Sequence, residues 1–459
     1  MKHTTRLLDI LDRAENGQIV EESQWDMFIV PKEMAALQVE FGINFKKSGD
    51  TIIPNDDALA DRLFEAGLAM AERIGVFCSS TSRRMQFTQS EILAGLSVAP
   101  TQIALGEGLD CHIEHKRKVE DTARITIKGG GVGTVIPEHL YMAVHQSYAQ
   151  EPLIDAMINC TLETVYGREI RTRSPWEVLV SWYEGSLTKT ACQRAGRPGL
   201  ALGCVENAVS DVSELSGGTT MFSKNDWHHI AMVSEFKTDY VLLNKLAHLV
   251  SNGSLIHSFY NTIYGGSVGG KEGVAIAIVG GCILLQMVYM TNTHSVSPAH
   301  PFFGNDTGPE LLLPISLAQQ ALARNSRLLT DVVLTPVGGP ETKTLLYETA
   351  AMAVLATCSG ACGIIGPRSG AGVNPGHVSG LEARFMAEVA HASVGMPRTE
   401  ADRIVRELVS RYKDQLNQRP TGKRFDEVYD LRTLKPLPAW QAMYEEVKEE
   451  LCGLGLKLG

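Results

Sequence analysis

The first 100 residues place apolar side chains at helical spacing. The clearest apolar stripe consists of Leu7, Leu8, Ile10, Leu11 and Ala14. Residues 56–70 repeat this pattern, and residues 90–94 show the polar-to-apolar change of a helix start. A recurrence near 3.6 residues is typical of an amphipathic helix. The pattern therefore predicts a helical N-terminal extension over residues 1–100, in which no chemistry is evident.

From about residue 100 the pattern changes to short apolar or β-branched runs that alternate with longer helical segments. The clearest runs are 125–128, 156–160, 199–202, 254–259, 290–294, 332–335 and 363–366. Strands that alternate with helices pair in parallel. A count near eight strands over residues 101–380 favours a (β/α)8 TIM barrel, an α/β fold. A doubly wound open sheet is the alternative.

Residues 381–459 are helical and charged, and they predict a C-terminal extension with a break near 418–423. The most apolar run, 274–290, is about as long as the shortest membrane helices. It contains Gly280, Gly281 and Gln286, however, and it lacks basic residues on one flank. We therefore expect a buried barrel helix, no membrane span and a cytoplasmic protein.

Charge and cysteine content exclude several classes of protein. The chain has 52 acidic and 42 basic residues, a formal charge of −10, which argues against a general nucleic-acid binder. Its nine cysteines show no tight framework spacing, which is typical of reduced thiols in the cytoplasm.

The stretch 195–206 is the most informative segment. It has a turn, a short apolar strand and then a carboxylate, Glu206, just past the strand end. In a parallel barrel, such a position faces the active-site mouth. Glu206 at a strand end is also compatible with a helix cap. Other polar candidates near predicted strand ends are Glu163, Asn292, His294 and Thr335, and Glu235 is a further candidate unless it pairs with Lys237 on a solvated helix.

Metal ligands are not indicated. His112, Glu114 and His115 are closely spaced, and His228 and His229 are adjacent, so that on a helix they face different directions. Neither group lies near a cysteine pair with ligand spacing. We therefore predict no metal site.

Several motifs, taken in order, resemble those of monomethylamine:corrinoid methyltransferases. The matching segments are 145–149, 174–178, 195–199, 264–266, 338–340 and 380–384. The resemblance implies a TIM barrel, often assembled as a hexamer. It also implies transfer of a methyl group from a small substrate to Co(I) of a separate corrinoid protein. The corrinoid then belongs to the partner, and we expect no tightly bound cofactor in this chain.

The family's pyrrolysine is the main departure. Aligned without gaps from 196–199, the pyrrolysine position falls on Gly203, whereas the shared glutamate, Glu206, remains. A family glutamate before Gly-Gly aligns with Phe259, and a Gln-x-Tyr pair aligns with Val333 and Thr335. The resemblance thus implies a remodelled pocket, with a vacated place at Gly203.

Without pyrrolysine, the methyl donor must already be activated, as in a quaternary ammonium group. Phe259 then faces an N-methylated cation, and Glu206 balances its charge. Two alternatives remain from the sequence. One is an inactive binding protein that keeps corrinoid-protein docking, and the other is a zinc-independent barrel enzyme of other chemistry.

Overall fold

A closed barrel of eight parallel strands forms the centre of the chain. The computed structural model describes residues 2–46, 48–203 and 210–459. Each barrel strand pairs with the next along the chain, and the eighth pairs with the first. In chain order the strands are Thr126–Gly129, Ala156–Ile158, Ala201–Gly203, Trp227–Met232, Leu255–Tyr260, Thr293–Val296, Leu329–Val333 and Gly363–Gly366. The predicted TIM barrel is confirmed, and the open-sheet alternative is wrong.

The fourth barrel strand, Trp227–Met232, is the one that the pattern did not predict. Trp227 packs among the residues inside the barrel, whereas His228 points outwards and forms a hydrogen bond with Glu214. His229 again faces the inside, where it lines a cavity. The interpretation of His228 and His229 as helical was therefore wrong. Because polar side chains lie on both faces of this strand, its sequence lacks the alternation of apolar and polar residues that predicts a strand.

The sixth barrel strand begins three residues later than the predicted run 290–294. Met290 has a left-handed backbone (φ 51°) and ends the preceding helix, so 290–292 form the turn into the strand. Asn292 therefore precedes the strand, and His294 lies near its N-terminal end. The seventh strand ends at Val333, which leaves Thr335 just past its C-terminal end.

Helices cover the outside of the barrel. They are Tyr141–Ala149, Pro175–Arg194, Tyr240–Asn252, Lys271–Tyr289, Pro309–Asn325, Lys343–Cys358 and Gly380–Ala392, with short turns at Asp211–Ser213, Glu214–Gly218, Thr219–Met221 and Ser369–Gly372. Among the described helices, Lys271–Tyr289 is long and apolar enough to cross a membrane. However, 94% of its most apolar 18-residue stretch is buried inside the fold, as predicted for a barrel helix.

The N-terminal segment is not entirely helical. Its helices are Lys2–Asn16, Glu22–Gln24, Trp25–Ile29, Val30–Glu40, Asp57–Ile74 and Gln89–Ser97. A small sheet orders the strands Gln18–Ile19, Arg83–Met85, Val76–Cys78 and Lys237–Thr238. The predicted N-terminal extension is thus mainly helical but also contains strands, because the buried apolar run Val76–Cys78 pairs with a strand that follows the fourth barrel strand.

The C-terminal segment is mainly helical, as predicted. It contains Arg398–Tyr412, Lys413–Gln418, Phe425–Val428 and Pro438–Gly453, with a two-stranded ribbon of Tyr429–Asp430 and Lys435–Pro436. Short paired strands also occur at Val135–Ile136 with Thr161–Leu162, and at Thr164–Val165 with Arg168–Glu169.

A hairpin closes the N-terminal end of the barrel. Its strands, Gln102–Leu105 and His112–His115, flank the short turn Gly108–Asp110. Ile103 and Leu105 pack with the apolar residues inside the barrel. Because this end is filled, the interior is open only towards the C-terminal ends of the strands.

A buried ionic cluster joins this hairpin to the barrel. Lys128 Nζ lies 2.8 Å from Glu114 Oε2 and 2.6 Å from Asp331 Oδ2, and all three side chains have no solvent exposure. Burial and the neighbouring Asp331 raise the pKa of Glu114 to about 8. Lys128 thus supplies the positive charge that the two buried carboxyl groups share. Because Glu114 is paired with Lys128, it does not form a metal site with His112 and His115.

Replacing Lys128 with Met leaves two carboxyl groups buried without a cation. Breaking a buried pair in this way costs about 3–5 kcal/mol of unfolding free energy. Urea denaturation measures this loss. Lys343→Met is the control, because Lys343 is 36% exposed in its ion pair with Glu446 and such pairs contribute about 1 kcal/mol or less. A Lys128→Met protein as stable as the wild type would contradict the assignment.

Candidate active site at the barrel mouth

A cavity of about 310 Å³ lies at the C-terminal mouth of the barrel. Its walls come from the middle and C-terminal parts of the strands and from the loops that follow them. The lining residues are Val132, Gly133, Ile158, His229, Ala231, His257, Phe259, Asn261, Ser297, Gly304, Val333, Thr335, Ile365 and Arg368. TIM-barrel enzymes place their active sites at this end.

Three of the predicted site residues meet in this cavity. Phe259 on the fifth strand, Val333 on the seventh and Thr335 just after it all line its wall. Their side chains converge because residues two apart on a strand share one face. Glu206 lies outside the described residues.

Gly203 ends the third barrel strand, and its neighbourhood corrects one expectation. A Cβ atom at this position would lie within 3.0 Å of Cε2, Cζ2 and Nε1 of Trp227. Real Cβ atoms do not approach other atoms so closely. The place beside Gly203 is therefore not vacant, because the Trp227 indole fills it. The sequence analysis did not indicate Trp227, because this residue lies on the fourth strand, which the hydrophobic pattern did not predict.

Trp227 is fixed from two sides. The Lys128 ammonium lies 4.9 Å from the centroid of the indole ring, within cation–π range. The ring of His257 meets the indole edge to face, with centroids 4.7 Å apart. The indole thus lies between the buried ionic cluster and the histidines that line the cavity.

Two histidines form a hydrogen-bonded pair on the cavity wall. His229 Nδ1 and His257 Nδ1 are 3.0 Å apart, so that one ring donates and the other accepts. His257 Nε2 is bonded to Ser295 Oγ at 2.7 Å. Burial, and then the nearby His229 and Lys128, hold the pKa of His257 well below its ordinary value. His257 is therefore neutral at physiological pH and adds polarity, not charge, to the cavity.

Four other predicted residues lie away from this cavity. Glu163 is exposed and lines a separate surface hollow with Glu138 and Tyr183. Glu235 is buried, where it accepts hydrogen bonds from Tyr260 Oη and from the backbone N–H of Ile263, and burial raises its pKa.

Asn292 and His294 lie at the opposite end of the barrel strand. Asn292 Oδ1 accepts a 2.7 Å hydrogen bond from the backbone N–H of Ile256. His294 faces a covering helix, where its Nε2 lies 3.1 Å from Gln286 Oε1, and burial lowers its pKa to about 3. Their expected position at the mouth was wrong because the strand begins later than predicted.

Metal ligation has little support in the described ranges. These ranges contain no group of three or more His, Cys, Asp and Glu side chains that could hold a metal ion. His112 is bonded to Thr126 Oγ1 at 3.0 Å, in keeping with a structural role.

Comparison with known proteins supports an enzyme family. The family model for monomethylamine methyltransferase MtmB matches residues 5–456. The chain belongs to this family. Its relatives include monomethylamine methyltransferase MtmB1 of Methanosarcina barkeri, 32% identical over 98% of this chain and 97% of that protein. MtmB of Methanosarcina mazei is 30% identical over the same shares of the two chains.

Solved structures of MtmB have the same fold as this chain. The crystal structure of the Methanosarcina barkeri monomethylamine methyltransferase superposes with a TM-score of 0.95, 31% identity and 98% coverage of both chains. A hydroxylamine complex of MtmB gives the same values. The resemblance seen in the sequence is thus confirmed, as is the predicted class, a corrinoid-dependent methyltransferase.

The contact between Gly203 and Trp227 can be tested by a double-mutant cycle. Gly203→Ala forces the indole to move, and we expect a loss of about 1–3 kcal/mol of unfolding free energy, typical of overpacking. In a Trp227→Ala background the same substitution should cost much less, because the clashing ring is absent.

Urea denaturation of the four proteins measures the coupling. Gly453→Ala is the control, since a Cβ atom there meets no neighbour within 4 Å. An equal cost of Gly203→Ala in both backgrounds would show that the indole does not fill this space.

Proposed function

We propose that this protein transfers a methyl group from a small methylated amine-type substrate to a corrinoid protein, and that it does so without pyrrolysine. The substrate carries an already activated methyl group, most simply on a quaternary nitrogen. Family membership and the cavity at the barrel mouth support this reaction class. Homo-oligomerisation as a hexamer and a cytoplasmic location remain predictions from the resemblance and the sequence.

The observation that carries the proposal is the packing of Trp227 against Gly203. In the ungapped alignment, Gly203 occupies the pyrrolysine position. A Cβ atom there already collides with the indole, so no long electrophilic side chain fits at this point. The substrate is therefore not captured covalently from this position, and its nitrogen must be a good leaving group when it arrives.

The cavity wall suits an N-methylated cation. Phe259 presents an aromatic ring, which contributes about 0.5–2 kcal/mol to binding a cation in a partly dry site. The neutral His257 adds no repulsive charge. In this proposal Glu206 supplies the balancing negative charge, Gly203 leaves room for the Trp227 indole, and Val333 and Thr335 complete the cavity wall.

The mouth also offers a surface for the partner. Phe302 is 75% exposed and Val373 is 72% exposed, and each lies on a loop that also contributes to the cavity, through Gly304 and Arg368 respectively. Exposed apolar side chains that rim a cavity are typical of a protein interface. When the corrinoid is docked there, its Co(I) supplies the nucleophile. The residues of this chain hold the methyl group in line with it and exclude water.

The proposal is tested with a corrinoid partner in the Co(I) state. Compounds methylated on N, S or O are added in turn, and the absorption of Co(I) is followed. We expect N-methylated cations to discharge the Co(I) absorption at a rate that depends on the protein. Tight partner binding with no discharge by any donor would favour an inactive binding protein.

Two matched substitutions distinguish the proposed role of Glu206 from the effect of removing any carboxylate. Glu206→Gln removes the proposed balancing charge, and we expect kcat/KM to fall by about tenfold or more, in line with the loss of a charge-assisted contact. Glu169→Gln changes a carboxylate that is 80% exposed on a surface ribbon and should leave kcat/KM unchanged. Equal rates for wild type and Glu206→Gln would remove Glu206 from the mechanism.

A further inference from the structure

The cavity is large for a substrate as small as methylamine. Its volume of about 310 Å³ falls within the range of roughly 300–1,000 Å³ that is usual for small-molecule sites. Methylamine has only two non-hydrogen atoms and would leave most of this space to water. The volume therefore leaves room for a longer molecule that reaches from one wall to the other.

Arg368 gives one wall a fixed positive charge. Among the described residues that line the cavity, it is the one with a permanently charged side chain, since a guanidinium stays protonated in proteins. Its planar fork matches the geometry of a carboxylate. A purely cationic substrate gains nothing from this group, whereas a substrate with an anionic end does.

The backbone holds Arg368 firmly in place. Its N–H donates to the carbonyl of Leu334 at 2.8 Å. In the same loop, the N–H of Gly370 donates to Gly338 at 2.8 Å and that of Ala371 donates to Pro336 at 2.7 Å. The loop after the eighth strand is thus tied to the loop after the seventh, which is typical of a preorganised binding site.

Gly372 provides the room for the guanidinium. A Cβ atom at this position would lie within 3.0 Å of Nε, Cζ and Nη2 of Arg368. The backbone of Gly372 is also left-handed (φ 69°), which favours glycine. The guanidinium therefore packs against Gly372, and a side chain at this position would displace it.

The aromatic residues and Arg368 come from different sides of the mouth. Arg368 follows the eighth strand, Phe259 lies on the fifth and His229 on the fourth. In a closed ring of eight strands, the fourth and eighth are diametrically opposed. One side of the cavity therefore suits a methylated cation, and the other side suits an anion.

We propose that the substrate is a zwitterion, an N-methylated amino acid whose carboxylate binds Arg368 while its methylated nitrogen lies against Phe259. This inference rests on the proposed function and specifies its substrate class. During transfer the C–N bond breaks, its two electrons remain on nitrogen, and the methyl group passes to Co(I). The amino acid leaves with one methyl group fewer, and its carboxylate takes no part in the bond changes.

Matched donors test the carboxylate. The N,N,N-trimethyl derivatives of glycine, β-alanine and 4-aminobutyrate are compared with choline and tetramethylammonium, which lack a carboxylate. At least one zwitterion should give a kcat/KM about tenfold or more above that of both controls, as expected for a charge-assisted bidentate contact. Choline or tetramethylammonium used as well as every zwitterion would overturn the inference while leaving the proposed function intact.

Variants test whether Arg368 causes the preference for zwitterionic donors over purely cationic ones. Arg368→Gln should lower kcat/KM about 10–100-fold for the zwitterion, mainly through KM, with little effect on choline. Arg368→Lys should retain part of the preference, and Gly372→Ala should weaken it although the charge is kept. An equal loss for all donors in Arg368→Gln would point to a structural or docking role and would contradict the inference.

Calorimetric titration without the corrinoid partner separates the two proposals. We expect the preferred zwitterion to bind the wild type and to bind Arg368→Gln at least tenfold more weakly. Such binding without methyl transfer to a Co(I) partner would support the inference and refute the proposed function. Absence of Arg368-dependent binding for all three zwitterions would refute the inference.

Discussion

The contact between the Trp227 indole and Gly203 sets the depth of the barrel mouth. Two adjacent parallel strands place these residues in register, and there is room for only one side chain between them. Since the indole takes that room, it packs with the apolar residues inside the barrel, and the cavity lies at the C-terminal mouth. Phe259, Thr335 and Arg368 line this cavity, and His257, which contacts the indole, lines it as well.

Charge is distributed along the barrel axis in a way that follows from burial. Lys128 is enclosed with Glu114 and Asp331 at the closed end, where an uncompensated ion would be costly. The same ammonium lies beneath the indole and helps to keep His257 neutral. The open end then carries Arg368 opposite the aromatic wall. The buried charges around Lys128 therefore stabilise the fold, whereas the charge of Arg368 is available to select a ligand. The Trp227 indole packs against the buried cluster.

Much of the fold was predictable because apolar runs and helices alternate in the sequence. The resemblance also pointed to Phe259, Val333 and Thr335 as pocket residues, and in the structure all three line one cavity. The fourth strand was not, because its histidines occupy both faces. That single omission hid Trp227 and the His229–His257 pair. The later start of the sixth strand depends on the left-handed Met290, which no local pattern indicates.

A crystal structure of the protein with a bound N,N,N-trimethyl amino acid would show both the packing of Trp227 and the orientation of the ligand. We expect the indole of Trp227 to remain against Gly203, with the methylated nitrogen beside Phe259 and the carboxylate at Arg368. A structure in which Trp227 has turned away and the ligand lies beside Gly203 would contradict this expectation.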